Sequence, residues 1–262
     1  MTEAAQTRKT VQIGIEGRVA RITVDRPPLN VLDIATMRAL DRALASVLEG
    51  GAHCDLIVFQ GAGPRAFSAG AEIADHTPDR VGEMLEAFHA IFRRLWRSDA
   101  VTIAAVHGLC LGGGFELAAF CDFVVAAESA RFGQPEIKLG CFPPVAMLML
   151  PQLAGMRAAL DLILTGRTIS APEALRMGLL SRIVPEAELP AAVDALLAEL
   201  QAQSPAVMRL TRRVLMQAAG FDFEKRLAEI EDIYLGQLMQ TTDAQEGIRA
   251  FLEKRAPVWS GK

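Results

Sequence analysis

Two glycine-bearing segments hold the residues best suited to chemistry: Arg65-Ala-Phe-Ser-Ala-Gly-Ala-Glu-Ile73 and Val106-His-Gly-Leu-Cys-Leu-Gly-Gly-Gly-Phe-Glu116-Leu-Ala. A glycine turn that opens a helix leaves backbone N–H groups without intrahelical acceptors, at the positive end of the helix dipole. Such a place binds an anion, or an oxygen on which negative charge develops during reaction. Either segment alone also serves as a tight turn that lets a helix pack on a strand. Glu116 lies three residues beyond Gly113, so its carboxylate falls in the first helical turn beside those N–H groups, where it could equally complement its own helix dipole. A second acid, Glu136, stands in the loop-like Phe132-Gly-Gln-Pro-Glu136-Ile-Lys-Leu-Gly140. A free carboxylate in that apolar context is costly without partners. Its simplest structural role is a helix-start acid or a pair with Lys138. The dinucleotide fingerprint, a Walker lysine and a GxSxG elbow are all absent from the sequence.

The elements that must position these residues follow from apolar spacing. Val11, Ile13 and Ile15 alternate, Glu16-Gly17 turns, and Val19–Val24 runs on, predicting a hairpin. Asp33 is placed to cap a helix carrying Ile34, Met37, Leu40, Leu44 and Val47. Leu56–Phe59, Val101–Val106 and Phe123–Ala126 read as buried strands. Val81, Leu85, Phe88, Phe92 and Leu95 mark an amphipathic helix. Gly112–Gly114 lead into a helix through Ala119. Strands alternating with helices indicate an α/β architecture, without a detectable internal sequence repeat. From Pro143 onward the chain reads as mostly helical. Ser170-Ala-Pro-Glu173 has the form of a capping box, Gly166 and Gly178 fit helix ends, and Ser204-Pro205 starts another helix. The division expected is a core over 1–200 and a helical region over 201–262. Three helices are expected in that region, and their apolar faces (Leu227, Ile230, Tyr234, Leu238; Ile248, Phe251, Leu252) call for a partner surface.

Composition narrows the function. The 262 residues are 51% apolar and carry a net charge of −4, with no Lys/Arg run, so binding to nucleic acid or an anionic membrane through bulk charge is disfavoured. The cysteines at 54, 110, 121 and 141 form no CxxC pair. The histidines at 53, 76, 89 and 107 lack ligand spacing, so reduced buried thiols are expected and no metal site. Met1 to Thr10 has no apolar stretch of signal-peptide type. Leu117–Phe120 and Val124–Ala127 are interrupted by Cys121-Asp122 and too short to span a bilayer. A cytoplasmic location is the expectation.

The motifs as a set resemble the enoyl-CoA hydratase/isomerase (crotonase) superfamily. They are Phe67-Ser-Ala-Gly-Ala-Glu-Ile73, Gly112-Gly-Gly-Phe-Glu116-Leu-Ala, Cys121-Asp122, Phe132-Gly-Gln-Pro-Glu136, Leu164-Thr-Gly-Arg167 with Ile169-Ser-Ala171, and Gly178-Leu. In order and spacing the resemblance runs from Arg26-Pro27 to Lys254-Arg255. It implies a spiral of ββα units, a C-terminal helical trimerisation region, a homotrimer or a hexamer of two trimers, and a coenzyme A thioester as substrate. It places two oxyanion-hole amides on Ala71 and Gly113, and paired acid/base glutamates on Glu116 and Glu136. Ala69 matches a carbonyl that contacts adenine, and Lys254 a basic residue near the coenzyme A phosphates of a neighbouring subunit. Glu72 and Ile73 continue the substrate-binding segment, Glu72 standing where Asp is common.

The chemistry so implied is hydration of an α,β-unsaturated thioester. It puts negative charge on the thioester oxygen, asks one carboxylate to take a proton from water and one carboxylic acid to supply a proton to carbon, and needs no metal or redox cofactor. The sequence departs from the family at Cys141-Phe-Pro-Pro-Val-Ala-Met-Leu-Met-Leu150, where Pro144 replaces a glycine whose N–H faces the active site. Pro at a helix start also simply caps differently. The Pro-Pro-Val form resembles hydratases acting on cyclic dienoyl-CoA thioesters, such as cyclohexa-1,5-diene-1-carbonyl-CoA, in aromatic degradation. The alternatives are a double-bond isomerase on the same scaffold, which often keeps only one carboxylate, and a non-catalytic RNA-binding or scaffold member.

Overall fold

The computed structural model describes residues 9–50, 54–218 and 222–262. His53 and the first eight residues of the polar N-terminal stretch lie outside the described residues.

The chain repeats one movement three times. β3 (Leu56–Gly61), β5 (Val101–Val106) and β7 (Phe123–Ala127) each lead into a three-residue strand: β4 (Ala66–Ser68), β6 (Leu109–Leu111) and β8 (Arg131–Gly133). The longer strands lie side by side and parallel in one sheet, the short ones side by side and parallel in another. A helix follows each pair: α2 (Val81–Arg97) after β4, α3 (Gly113–Phe120) after β6, and α4 (Pro144–Ala154) after β8. This is the expected spiral of ββα units, a repeat carried by topology rather than by sequence identity.

The larger sheet opens with the expected antiparallel hairpin of β1 (Val11–Glu16) and β2 (Val19–Val24), and β2 then pairs with β3 in parallel. β10 (Arg182–Val184) closes its far edge, parallel to β7. β9 (Thr168–Ser170) closes the small sheet, antiparallel to β8. The period-2 alternation of the central strands divides two apolar layers. Ile57, Phe59, Ala104, Val106, Val124 and Ala126 face the main core. Val58, Val101, Ile103 and Val125 face a second cluster with Val193, Leu196 and Leu197 of α7 (Leu189–Gln201).

Local signals hold where they were readable. Asp33 accepts from the Thr36 N–H at 2.8 Å and starts α1 (Ile34–Glu49). Gly166, at φ +59°, ends α5 (Met156–Thr165). The capping box at α6 (Ala171–Arg176) is corrected to half a box. Ser170 accepts from the Glu173 N–H, but the Glu173 carboxylate pairs with Arg167 at 2.8 Å. The stretch after Pro143 contains β9 and β10 among its helices; three-residue strands carry too little periodicity to be read.

The last three helices are α8 (Pro205–Ala218), α9 (Phe223–Gly236) and α10 (Thr242–Leu252). Their apolar faces need an outside partner less than expected. Phe223, Leu227, Tyr234 and Ile248 are buried in the chain's own main core, and Ile230 and Leu238 pack against it. What stays exposed is α8 (Val207, Leu210, Val214, Leu215) with Ile233 and Leu235 of α9 and Phe251 and Leu252 of α10. All four cysteines are buried thiols outside any disulfide. Among the described residues no helix is long and apolar enough to cross a membrane.

Candidate active site

The first glycine segment is fixed by backbone pairing. Leu32 bridges Ala71: the Leu32 N–H donates to Gly70 O and the Glu72 N–H donates to Leu32 O, both at 2.8 Å. In a parallel bridge the flanking residues make these bonds, so the Ala71 N–H itself is turned the other way. The Ser68 hydroxyl donates to Asn30 O at 2.7 Å and accepts from the Gly70 N–H at 3.2 Å, holding the turn.

The second segment meets it. Gly70, at φ +98°, has no room for a side chain: a Cβ there would lie 2.9 Å from Leu111 O and 3.2 Å from the Gly113 nitrogen. A Cβ at Gly113 would lie 3.4 Å from the Ala71 nitrogen, so the two amides are neighbours. Gly113 is the first residue of α3 and its N–H is one of the helix's unsatisfied donors. Among the described residues neither the Ala71 nor the Gly113 N–H has an acceptor. Two adjacent N–H donors without acceptors are able, in chemical terms, to serve an oxygen that gains negative charge.

Glu116, in the first turn of α3, is 3% exposed. Its role beside its own helix start is corrected: Oε1 accepts from the N–H groups of Val145 at 2.8 Å and Ala146 at 2.9 Å, at the start of α4. Pro144 is the first residue of α4, where a missing N–H costs no helical bond, and the next two amides serve the carboxylate. Burial pushes the Glu116 pKa up to about 7, while the Ala146 and Val145 amides pull it down.

Glu136 sits in the 3₁₀ turn Pro135–Leu139, behind a proline that starts the turn. No ion pair joins it to Lys138 among the described residues. The Gln134 amide, oriented with its NH₂ toward the carboxyl, donates to the two oxygens at 3.1 and 3.3 Å. Burial first, and then the charge of Glu116, push the Glu136 pKa well above the carboxylate range. Like charges that share a buried site cannot both ionise easily, so the pair together holds a proton more firmly than a free carboxyl does.

A cavity of about 30 Å³, room for about one water, joins these groups. Ala71, Gly113, Glu116, Glu136 and Pro144 all line it, together with an apolar wall from Met84, Leu85 and Phe88 of α2 and Phe142. Larger clefts lie elsewhere among the described residues. One, of about 750 Å³, is edged by arginine–carboxylate pairs around Arg94 and Asp99; another, of about 670 Å³, lies against the apolar side of α8. Neither contains the amide pair or the two glutamates.

The remaining expected site residues fall outside this cavity. Ala69 donates its N–H to Leu29 O at 2.9 Å, and among the described residues its carbonyl accepts no hydrogen bond. Glu72 pairs with Arg26 at 3.2 Å, and Ile73 packs against the core. Lys254 is exposed beyond the end of α10, at φ +56°.

Among the cavity residues with polar side chains, His76 and Tyr234 escaped the sequence reading as site residues, as did the apolar Met84, Leu85 and Phe88. Tyr234 stood out only as part of an apolar helix face. It is 1% exposed and packs edge-on against Phe142 with ring centroids 4.9 Å apart. α9 is tied to α2 by Glu231, which meets His89 Nδ1 and Arg93 at 2.5 Å each, so the tyrosine is delivered from a clamped helix. Among the described residues no group of three His, Cys, Asp or Glu side chains could hold a metal ion.

Residues 14–262 match the family model described as enoyl-CoA hydratase/isomerase. The chain is 36% identical over 268 residues to the cyclohexa-1,5-dienecarbonyl-CoA hydratase of Thauera aromatica, covering 100% of each protein. It is 34% identical to the short-chain-enoyl-CoA hydratase of Clostridium acetobutylicum, covering 92% of this chain and 93% of the relative. Among solved structures it resembles the carnitinyl-CoA hydratase of Mycobacterium avium, with a TM-score of 0.84, 34% identity and coverage of 98% and 100%.

Proposed function

The chain belongs to the enoyl-CoA hydratase/isomerase family, and from that premise we propose that it reversibly hydrates an α,β-unsaturated coenzyme A thioester to the hydroxyacyl-CoA. The observation that carries this reading is the joining of two unpaired amides and two carboxyls that cannot both ionise easily in one cavity. The thioester oxygen takes hydrogen bonds from the Ala71 and Gly113 N–H groups. Ionised Glu116 accepts a proton from water as the water oxygen bonds to the β-carbon. The carbon–carbon π electrons move onto the thioester, and the amide pair stabilises the enolate oxygen; loss of one such donor typically costs about 3 kcal/mol. Protonated Glu136 then gives its proton to the α-carbon. Water and the two carbons account for every atom, and the proton on Glu116 replaces the one Glu136 gave up after exchange.

The acyl group we infer is a cyclic dienoyl one. Support comes from the apolar wall of Phe88, Phe142, Met84 and Leu85, from Pro144 in place of an amide donor, and from full-length similarity to the Thauera aromatica hydratase. A rigid ring loses little conformational entropy in such a wall. Entry of an acyl group displaces side chains of that wall, because the cavity holds only about one water. Self-association into a trimer or hexamer is part of the same proposal, supported by the exposed apolar face of α8.

The test is turnover of crotonyl-CoA, cyclohexa-1,5-diene-1-carbonyl-CoA and a 3-enoyl-CoA, read by mass and ultraviolet absorbance. Gain of one water on a conjugated thioester is the result expected. Conversion of the 3-enoyl thioester with unchanged mass, and no hydration, would instead make the protein an isomerase. Binding without turnover of any of the three would leave the scaffold reading.

A further inference from the structure

His76 lines the cavity but has no part in the hydration steps above. It ends the 3₁₀ turn Ile73–His76, five residues after the Ala71 amide. Nδ1 lies 3.0 Å from Glu72 O, and a carbonyl oxygen can only accept, so Nδ1 carries the ring proton. Nε2 is left as a bare lone pair, and among the described residues no group donates to it. His89, the other buried histidine, differs: its Nε2 is sealed from any solvent-sized space, whereas His76 keeps 8% of its surface and borders the cavity.

Burial holds the imidazole neutral by lowering its pKa. The acids beside it are engaged elsewhere. Asp75 pairs with Arg80 at 2.8 Å and accepts from the Ile34 N–H, and Glu72 pairs with Arg26. Apart from the two glutamates and Tyr234, the cavity side chains around His76 are apolar. A hydrocarbon acyl group filling that space would seal an acceptor without a donor, which is unfavourable.

Resting on the hydratase reading for the presence of an acyl-CoA, we propose that His76 is a specificity-determining residue whose Nε2 accepts a hydrogen bond from a hydroxyl carried by the acyl group, on chain or ring. The same O–H donor could come from a water retained beside the acyl group, and the measurements separate the two.

Saturated thioesters that cannot be hydrated are used, so the outcome does not depend on turnover. Dissociation constants of butyryl-CoA and 4-hydroxybutyryl-CoA are measured calorimetrically for the wild type, His76→Phe and His76→Gln. The wild type is expected to bind the hydroxylated thioester about fivefold more tightly, the size of one net hydrogen bond. His76→Phe should erase that preference and His76→Gln, which keeps an acceptor oxygen, should restore part of it. Nitrogen-15 spectra of histidine-labelled wild type give a reading free of mutation: the Nε2 resonance should move with 4-hydroxybutyryl-CoA and stay with butyryl-CoA. Equal affinities in the wild type, an Nε2 shift common to both thioesters as a retained water would give, or a preference surviving His76→Phe overturns the proposal. Failure of the hydration test with this preference intact would overturn the hydratase reading alone.

Discussion

A methyl group at Gly112 would come within 2.5 Å of Glu136 Oε1, so the turn that opens α3 and the second carboxylate occupy one shared space. Gly112 also sits at φ +51°, a conformation that disfavours other residues. We predict that Gly112→Ala folds but displaces the Glu136 carboxyl and lowers kcat by about 10²-fold, the usual scale of one acid/base group. The check is kcat beside circular dichroism; a folded variant with unchanged kcat would separate the turn from the carboxylate.

The glutamate pair sets a pH dependence for stability. Burial raises the Glu116 pKa from 4.5 to about 7, so between those values the unfolded chain has lost a proton that the folded chain keeps. The Glu116 contribution is thus fully present below about pH 4.5 and lost as pH rises through about 7. Glu116→Gln still accepts from Val145 and Ala146 and removes this loss. Urea unfolding at about pH 8 should show the variant more stable than the wild type, by on the order of 1–3 kcal/mol. The advantage should vanish near about pH 4.5; a constant difference at both pH values would contradict the assignment.

Pro144 tests the acyl preference. The wild type should show a higher kcat/KM for cyclohexa-1,5-diene-1-carbonyl-CoA than for crotonyl-CoA, and Pro144→Gly, by restoring an amide donor at the start of α4, should narrow the gap. Preference of the wild type for crotonyl-CoA would remove the cyclic reading and leave hydration standing.

The exposed face of α8 predicts association. Val207 and Val214 are 62% and 60% exposed, and placing Asp at both should yield a smaller species by light scattering while the core stays folded. Deleting everything after Gln203 would be a poorer test, because Phe223, Leu227 and Tyr234 fill the main core. An unchanged mass for the double variant would assign association to another surface.

What could be read in advance depended on how local its cause is. The Asp33 cap, the apolar stripe of α2 and the glycines before α3 rest on contacts within a few residues, and all are present. The capping of α4 by Glu116 spans 29 and 30 residues, so its spacing on α3 pointed only to its own helix. The strands β4, β6, β8 and β9 gain their definition from one another, not from three residues of pattern. His76 and Tyr234 enter the cavity from a 3₁₀ turn and from α9. Tyr234 was readable as one apolar position on its helix, and His76 followed no period at all.

The paired-carboxylate mechanism is tested most directly by the steady-state hydration rate of Glu116→Gln and Glu136→Gln on the conjugated thioester the wild type turns over best, with thioester affinity measured in parallel. Each amide keeps the shape of its carboxyl but can no longer exchange the proton the reaction needs. The account predicts a fall in kcat of about 10²-fold or more in each variant, with the fold and thioester binding retained. Near-normal turnover in either one would show that the two glutamates are not the acid and base of this site.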